Sequence, residues 1–344
     1  MNRFRTFLSL ASLLLSAGVF GQASVVLHSG GNTTVYTDLQ TAISASQNGD
    51  SLLLSGGIHN SDADDVIVNK SLTIQGVGFD MDTLVATNAS IVRGDLTLIN
   101  GASNCVLRGF KVENGMLDIG SGTSSTDDIT NLYAELCWFE NGIDFSDSGN
   151  TTNPPSNIMI QHCVFGGGFL AYAINVTIQN CLVFADLTTG YNGVTVDHCL
   201  FEDGTSMSIE AVNGSFTNNI FLGSSFFAAG ESNIFANCIY EDTTPGFDVE
   251  DQIENSFYAN DVTLFGETID LNFNPDVDYR TVTGSIAVGN GTDGSTIGHE
   301  GGVSPWPVDY LTENPYIWNS STIGSQTDPY GLLPVHIKVS AQGN

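Results

Sequence analysis

One phrase recurs along the middle of the chain and constrains its fold more than any other feature. It begins at an Asn, alternates apolar and polar residues, and ends in a bend residue, a Cys and an apolar or aromatic pair. Its clearest copies span 157–165, 175–184 and 193–201, with weaker copies before and after them. A repeat of about 20 residues is too short to fold alone and predicts a solenoid of stacked coils.

The alternation within one copy predicts a strand with one buried face. Residues 176–179 read Val-Thr-Ile-Gln, which is the two-residue period of a strand. Asn180 then makes a bend, because Asn tolerates left-handed backbone angles and bonds locally. We expect the side chains at this position to bond to each other and to bend backbone. We call this set the bend column: His162, Asn180, His198, Asn218, Asn237 and Asn255.

A left-handed β-helix has a similar coil length and is the alternative solenoid. It needs an aliphatic residue at every sixth position, as its hexapeptide repeat requires. Thr188 and Ser206 fall where that register expects an aliphatic residue, so the pattern favours the right-handed form.

The opening of the chain predicts a short helix followed by strands. Leu39, Ala42 and Ile43 share one face of the helix. The strings that follow are Gly49-Asp50-Ser51-Leu52-Leu53-Leu54, then Gly57, then Lys70-Ser71-Leu72-Thr73-Ile74-Gln75-Gly76-Val77-Gly78. Together they resemble the opening of the pectin-lyase-like superfamily of right-handed parallel β-helices.

The resemblance implies an all-β chain in which residues 24–302 form a single right-handed parallel β-helix, with the helix as an N-terminal plug. The string from Gly284 to Gly302 is similar to the last coil of secreted bacterial members. Residues 303–344 are rich in proline and aromatic residues, and we expect them to cap the open end. A small sorting or docking tail is the alternative.

The first residues predict export. Arg3 and Arg5 precede an apolar run from 6 to 20, and small residues follow. This pattern is typical of a secretory signal peptide over residues 1–23, and its apolar run is short for a bilayer span. We therefore expect a secreted, extracellular or cell-surface protein without membrane insertion.

The charge balance excludes one class of partner. The chain has 38 Asp and Glu against 8 Lys and Arg, a net charge of −30. Neutralising phosphates requires basic side chains, so nucleic acid is not expected as a partner, and an anionic membrane surface is disfavoured. The acidity serves solubility or the binding of divalent cations, and both interpretations stay open.

Five of the six cysteines occupy one position of the repeat. Six cysteines in an exported chain would normally suggest disulfides. Stacked side chains point in parallel, however, and Asn219 and Ser256 replace Cys in the same column, so we expect free thiols in the core. The column is Cys137, Cys163, Cys181, Cys199 and Cys238; Cys105 lies outside it.

Carboxylates follow the strands of neighbouring coils. Glu113 and Glu140 occupy equivalent positions, and stacking would hold them about 5 Å apart. A shared Ca²⁺ would relieve their repulsion, with Asp118 and Asp144 as further oxygen ligands. The sequence thus predicts a calcium site, with a solvated acidic edge as the alternative.

An apolar residue follows the Cys position in each coil. If strand parity holds, these residues face outward; otherwise they are core. Monomers rarely expose such a surface, so we expect the loops or the C-terminal tail to cover it, or a second copy to bind it. Trp138 at its end is the predicted sugar-binding residue, since an indole ring can stack on a sugar. We call this set the apolar stripe: Trp138, Val164, Leu182, Leu200, Ile220, Ile239 and Phe257.

The sequence assigns no catalytic residue, because no lyase or hydrolase signature surrounds Arg93, Arg108, Lys111 or Arg280. The prediction is a non-catalytic protein that binds extracellular polysaccharide, a cell-surface glycan or a partner surface. The alternative is a calcium-assisted polysaccharide lyase or a glycoside hydrolase with a non-standard site. An enzyme would show clustered acids and a buried, charge-paired base, whereas a binder would show aromatic side chains and no shifted pKa.

Overall fold

The repeat folds into stacked parallel sheets. The computed structural model describes residues 23–60, 65–80, 88–120, 129–145, 154–170, 172–204, 206–269 and 272–307, and the pairs 316–317 and 339–340. Three long sheets run through these residues, and nearly every strand pairs in parallel with the equivalent strands one coil before and after it. The chain is therefore an all-β parallel solenoid, as its period predicts. The predicted signal peptide and most of 308–344 lie outside the described residues.

Sheet 1 holds the first strand of each coil. It opens with antiparallel pairs and continues in parallel. Its strands, in spatial order, are Asn32–Tyr36, Val25–Ser29, Ser51–Leu54, Thr73–Gln75, Val106–Arg108, Tyr133–Glu135, Ser156–Gln161, Ile174–Gln179, Val194–Asp197, Ser215–Thr217, Ile234–Ala236 and Gln252–Glu254.

Sheets 2 and 3 hold the second and third strands of each coil. Sheet 2 contains Gly57–Ile58, Ser90–Arg93, Lys111–Glu113, Trp138–Phe139, Val164–Phe165, Leu182–Val183, Leu200–Glu202, Ile220–Leu222, Ile239–Tyr240 and Phe257–Tyr258. Sheet 3 contains Val66–Val68, Leu96–Leu98, Leu117–Ile119, Ile143–Asp144, Phe169–Leu170, Leu187–Asn192, Met207–Val212 and Phe226–Glu231. Tyr316–Ile317 pairs antiparallel with Val339–Ser340.

The bend between sheets 1 and 2 confirms the role predicted for the bend column. All six of its residues have left-handed backbone angles, with φ between 50° and 58°. A second set, which we call the Asn ladder, has the same conformation where the chain enters sheet 1: Asn104, Asn131, Asn157 and Asn175, with φ between 56° and 63°. Asn adopts this region at lower cost than most residues, which explains its recurrence at both bends.

The cysteine column is a stack of free, buried thiols, as predicted. The backbone N–H of Cys163 donates to the Cys181 sulfur at 3.4 Å, and Cys181 repeats this contact with Cys199. In the next coil Asn219 takes the place of the thiol, and its Oδ1 accepts the N–H of Cys199 at 2.8 Å. Burial raises the pKa of Cys163 well above that of an exposed thiol, so this thiol stays protonated.

Helix α1 (Leu39–Ala45) is held against the first coils at both of its ends. Asp38 caps its start by accepting the N–H of Thr41 at 2.6 Å. Lys70 donates to three carbonyls at its end, those of Ile43, Ser44 and Ser46, at 2.7–2.9 Å. The apolar face of the helix packs into the main core, as its sequence predicts.

The solenoid ends earlier than its sequence suggests. The last stacked strands of the described residues are Gln252–Glu254 and Phe257–Tyr258. Residues 284–302, which the sequence places in a last coil, consist of turns and bends without a strand. The interpretation of that string as a coil is therefore wrong, because its glycines serve a different packing described below. Within the described residues, no helix has the length and apolar character needed to span a bilayer.

Candidate functional site

After the last coil the chain turns back over the outer face of sheet 2. We call residues 260–307 the C-terminal cover. It begins with helix α2 (Asp261–Phe265), which starts with a reciprocal cap between Asn260 and Thr263 and ends at Gly266 with φ 83°. The cap and the glycine fix where the helix begins and ends, and so direct the chain onto the sheet.

The cover buries the apolar stripe in a second hydrophobic core. The stripe faces away from the solenoid interior, as parity predicts, and Leu182, Leu200 and Ile220 are fully buried. The stripe is thus closed within one chain, and the predicted self-association through it is wrong. The cover residues that pack there include Leu264, Phe265, Ile269, Phe273, Tyr279, Ala287 and Ile297.

The bend column anchors the cover along its length. The contacts run antiparallel to the order of the coils, and each joins a side chain of the column to the cover. They are His162 Nε2 to Ser304 O at 2.8 Å, Asn180 Nδ2 to His299 O and Gly301 O at 2.8 Å, His198 Nε2 to Ser295 Oγ at 3.0 Å, Asn218 Nδ2 to Thr292 Oγ1 at 3.0 Å, and Asn237 Nδ2 to Asn290 O at 2.7 Å. We predicted bonds within the column, and only Asn255 to Asn237 follows that pattern, at 3.2 Å.

Two glycines permit this close approach. A Cβ on Gly298 would lie 2.6 Å from Ile220 Cδ1, and Gly298 has φ 95°. A Cβ on Gly301 would collide with the Thr296 carbonyl and the His198 ring. The glycine-rich string therefore reflects packing of the cover against the bend column and the stripe.

A cleft of about 150 Å³ opens between the cover and sheet 2, and we call it the side cleft. Its aromatic wall is Trp306, whose ring lies edge-to-face with His162 and His299 at centroid distances of 6.1 and 5.9 Å. The lining residues are Leu182, Val277, Asp278, Tyr279, Arg280, His299, Glu300, Pro305, Trp306 and Pro307.

Charged groups line the side cleft, and hydrogen bonds to neighbouring residues hold most of them in place. Arg280 donates to both oxygens of Asp278 at 2.8 and 2.7 Å, and this hydrogen bonding lowers the pKa of Asp278. Glu300 Oε2 accepts from the backbone N–H and the hydroxyl of Thr281, at 2.6 and 2.9 Å. Neither of these two hydrogen bonds uses Oε1 of Glu300.

His299 is the most deeply buried polar group of the side cleft. It is 2% exposed, and its Nδ1 has no hydrogen-bond partner. Burial lowers its pKa to about 3, so the imidazole is neutral at physiological pH. A buried ring nitrogen without a partner costs free energy.

The predicted glutamate pair does come together, but with cations between its members. Lys111 Nζ lies 2.9 Å from Glu140 Oε1 and 3.6 Å from Glu113 Oε1, and Arg93 binds Glu113 at 2.7 Å. The hydrogen bond from Arg93 and the charge of Lys111 outweigh burial and lower the pKa of Glu113. The repulsion for which calcium was invoked is thus already relieved by the protein.

The other two predicted ligands lie on a different sheet. Asp118 and Asp144 lie opposite each other on neighbouring strands of sheet 3. Glu113 belongs to sheet 2, and Glu140 comes directly after a strand of that sheet. The four residues therefore form two pairs. Within the described residues, no three His, Cys, Asp or Glu side chains gather in an arrangement suited to a metal ion.

The Trp138 ring packs against other side chains instead of lying open on the surface. Lys111 Nζ lies 3.9 Å from the centre of its ring, and Phe79 and Phe273 contact it edge-on at 6.4 and 5.1 Å. Its Nε1 is buried without a partner. A sugar stacking on this ring would have to displace Lys111 or Phe273, so the predicted role of Trp138 stays a prediction.

Ser295, His198 and Asp197 approach the layout of a hydrolase triad. His198 Nε2 is 3.0 Å from Ser295 Oγ, and His198 Nδ1 is 2.9 Å from Asp197 Oδ1. The contact with Asp197 lacks the geometry of a hydrogen bond, so His198 Nδ1 has no hydrogen-bond partner. Ser295 Oγ also accepts the N–H of Gly302 at 2.8 Å, and His198 is 2% exposed. The three residues are better explained as an anchor of the cover than as a nucleophile.

One acid outside the cleft has an altered proton affinity. Glu202 is 6% exposed on the outer face of sheet 2, and burial raises its pKa to about 7. The Gly204 N–H, at 2.8 Å from Oε1, opposes this rise, and the charge of Glu241 adds to it. The sequence showed Glu202 only as one member of an acidic repeat position.

Comparisons with known proteins provide no family: no family model matches the chain, and no curated protein is significantly similar to it.

The sequence contains the residues that line the side cleft but does not indicate that they lie close together. The string His299-Glu300-Gly301-Gly302 and the tripeptide Pro305-Trp306-Pro307 were interpreted as a last coil and a cap. The signal that could have placed them is the bend column itself. Buried His and Asn side chains require hydrogen-bond partners, and a ladder of alternating His and Asn cannot satisfy all of them internally.

Proposed function

We propose that this protein is a secreted right-handed parallel β-helix of the pectin-lyase-like type that binds an extracellular glycan without catalysis. In this proposal helix α1 is the N-terminal plug and the side cleft receives the glycan. Of residues 303–344, which were expected to cap the far end, residues 303–307 belong to the C-terminal cover on the outer face of sheet 2. The stacked parallel sheets and the opening helix support the fold, and the resemblance of residues 39–78 supports the type.

The side cleft is the observation that carries the functional part. It combines an indole ring and prolines with a few polar groups, Glu300, Arg280 and His299. Sites for small polar ligands have this composition, an apolar wall with a small number of fixed polar atoms. Tryptophan supplies a flat apolar surface for the C–H face of a sugar, and the polar groups select its hydroxyls.

The volume of the side cleft limits what it can hold. About 150 Å³ is below the roughly 300–1,000 Å³ of pockets that enclose drug-sized ligands. We infer that it receives one sugar ring or the end of a chain, while the rest of the glycan lies on the surface. Affinity for a single site of this size should be modest.

The test is a panel of soluble polysaccharides and oligosaccharides, measured by calorimetry and by pull-down on insoluble glycans. We expect binding to at least one glycan, and Trp306→Ala should weaken it at least about tenfold. Trp138→Phe is the control at the second tryptophan of the described residues and should leave binding unchanged. If Trp138→Phe abolishes binding and Trp306→Ala does not, the site lies at Trp138, and if no glycan binds, the function is wrong.

Calcium stays a prediction at Glu113, Glu140, Asp118 and Asp144. An ion there would have to displace Lys111 from the glutamate pair or be held at the aspartates. Its test is the melting temperature with calcium and with chelator, in the wild type and in a Glu113→Gln/Glu140→Gln variant. A calcium-dependent rise that the variant lacks supports the site; equal melting temperatures in all four samples dismiss it.

An enzyme is the second candidate, and Glu202 favours it. A carboxyl with a pKa of about 7 is about half protonated at neutral pH, which allows it to act as the general acid of a glycoside hydrolase. The same glycan panel, assayed for reducing ends and unsaturated products, decides between the two candidates. Turnover that Glu202→Gln abolishes would replace the binding function by catalysis.

A further inference from the structure

We propose that the side cleft prefers a sugar that bears a protonated amine and excludes uronates and other anionic sugars. This inference rests on the proposed glycan-binding function and names the class of glycan. It is carried by the arrangement of acidic and aromatic groups in the cleft and by the charge of the surrounding chain.

The first argument is the set of acceptors in the cleft. Both hydrogen bonds between Thr281 and Glu300 use Oε2, so Oε1 remains an acceptor at the cleft wall. The imidazole of His299 also lines the cleft and is neutral, so it adds no positive charge that would oppose a cation. An ammonium group donates three hydrogen bonds and accepts none, so it matches a carboxylate better than a hydroxyl does.

The second argument is the state of the cation in the cleft. An anionic sugar would be attracted to Arg280, but this guanidinium already donates two hydrogen bonds to Asp278, at 2.8 and 2.7 Å. The charge of Arg280 is thus already paired with one carboxylate, and a uronate at its remaining N–H groups would also face the carboxylate of Glu300. Two carboxylates, Asp278 and Glu300, outnumber one guanidinium, Arg280, so the cleft has a net negative formal charge.

The third argument is the aromatic wall. Trp306 lies beside the acids of the cleft, and a cation over an indole ring is attracted by its π electrons. The same face accepts the C–H bonds of the sugar ring. Ring stacking and ammonium recognition can therefore act on one residue of the glycan.

The fourth argument is the field of the whole chain. A net charge of −30 attracts cationic polymers and repels anionic ones at moderate ionic strength. This effect alone is unspecific, so the test uses short oligomers and compares residues of the cleft with an exposed acid far from it.

The experiment compares three tetramers that carry a positive, a neutral or a negative group on each ring: glucosamine, N-acetylglucosamine and galacturonic acid. Calorimetry at pH 6 and 150 mM salt should give the tightest binding for glucosamine, about tenfold over N-acetylglucosamine, and none for galacturonate. Glu300→Gln should reduce the preference for the amine to within about twofold. Glu254→Gln, which removes an exposed acid on sheet 1, should leave the preference unchanged.

The possible failures are distinguishable. If galacturonate binds as well as or better than glucosamine, the charge preference is overturned while glycan binding stands. Equal affinities for the glucosamine and N-acetylglucosamine tetramers also overturn it. The charge preference is likewise overturned if Glu254→Gln loses as much preference as Glu300→Gln. If none of the tetramers and no other glycan binds, the proposed function itself fails. Circular dichroism of each variant establishes that it is folded.

Discussion

The outer face of sheet 1 and the outer face of sheet 2 come from the same repeat and have different surroundings. Sheet 1 presents exposed polar residues such as Thr195, whereas sheet 2 presents the apolar stripe, which the C-terminal cover buries. Their two bends differ in the same way. The Asn ladder bonds to itself, with amide contacts of 3.0–3.3 Å between exposed side chains, while the bend column bonds to the cover.

The comparison shows that backbone conformation alone does not explain the bend column. Both sets of bends need left-handed angles, which Asn supplies. Only the bend column includes histidines and buries side chains, those of His162, Asn180, His198 and Asn218, and only it meets a second layer of chain. The sheet 2 side is therefore where we place the function, and paired substitutions on the two faces test the assignment.

The largest effect is expected from shortening the apolar stripe. Leu200→Ala removes a fully buried side chain between sheet 2 and the cover, and should lower the free energy of unfolding by about 3 kcal/mol. Thr195→Ala changes an exposed residue of the same coil on sheet 1 and should cost under about 0.5 kcal/mol. Urea denaturation measures both, and equal losses would mean that the cover does not bury the stripe.

The next effect separates the two bends. Glycine adopts the left-handed angle without steric strain, and its entropic cost on folding is similar at both bends. The difference between two Asn→Gly variants therefore reports the side-chain contacts. Asn180→Gly should cost about 2 kcal/mol, because it leaves the carbonyls of His299 and Gly301 without their donor. Asn157→Gly in the Asn ladder breaks exposed amide contacts and should cost about 0.5 kcal/mol or less. A larger loss at Asn157 would reverse the comparison.

The pH dependence of the covered face should be dominated by His299. Its pKa is about 3 when folded and about 6.5 when unfolded, so between these values the unfolded chain binds a proton that the folded chain does not. The free energy of unfolding therefore falls as the pH decreases below about 6.5. Between pH 7.5 and 5.5 the loss from this residue should be about 1 kcal/mol.

Two histidine variants isolate that contribution. His299→Gln should remove it and flatten the dependence, whereas His28→Gln, on an exposed residue of sheet 1, should not. Chemical denaturation at a series of pH values gives both slopes. If the His299 variant keeps the wild-type slope, its burial beneath the cover is wrong.

The smallest effect concerns Glu202 and has the opposite sign. Its pKa rises from about 4.5 to about 7 on folding, so the folded chain holds a proton that the unfolded chain loses in that interval. Its stabilising effect is present below about pH 4.5 and is lost as the pH rises to about 7. Glu202→Gln should therefore stabilise the protein at pH 8, by up to about 1 kcal/mol after allowance for solvent screening, and less at pH 5. Glu254→Gln should show no such difference.

The sequence predicted the solenoid because its signals are local and periodic. The two-residue period of strands such as 176–179 set which side chains face inward, and the same parity placed the apolar stripe on the outside. The recurrence of Asn and His gave the bends, and Asn219 in the Cys column indicated stacking instead of disulfides. Each of these features depends on a coil and its immediate neighbours.

The candidate site depends on contacts that no local period encodes. Asn218 meets Thr292 across 74 residues, and His162 meets Ser304 across 142. The cover consists largely of turns and bends, so its sequence lacks a repeat that would reveal its path. The ion pair between Lys111 and Glu113 could have been predicted from the sequence, because Lys111 lies two residues earlier on the same face of the strand. The calcium hypothesis did not include it because it considered only the acidic residues.

Hydrogen exchange of the cover tests the central claim most directly. The N–H of Gly298 donates to the Asn218 carbonyl and that of Thr292 to the Asn218 side chain, both at 2.8 Å, although neither belongs to a strand. Peptides spanning 290–306 should be protected nearly as well as the strands of sheet 2, and should lose protection selectively in Asn180→Gly. Exchange of these peptides at the rate of an unfolded chain in the wild type would contradict the account.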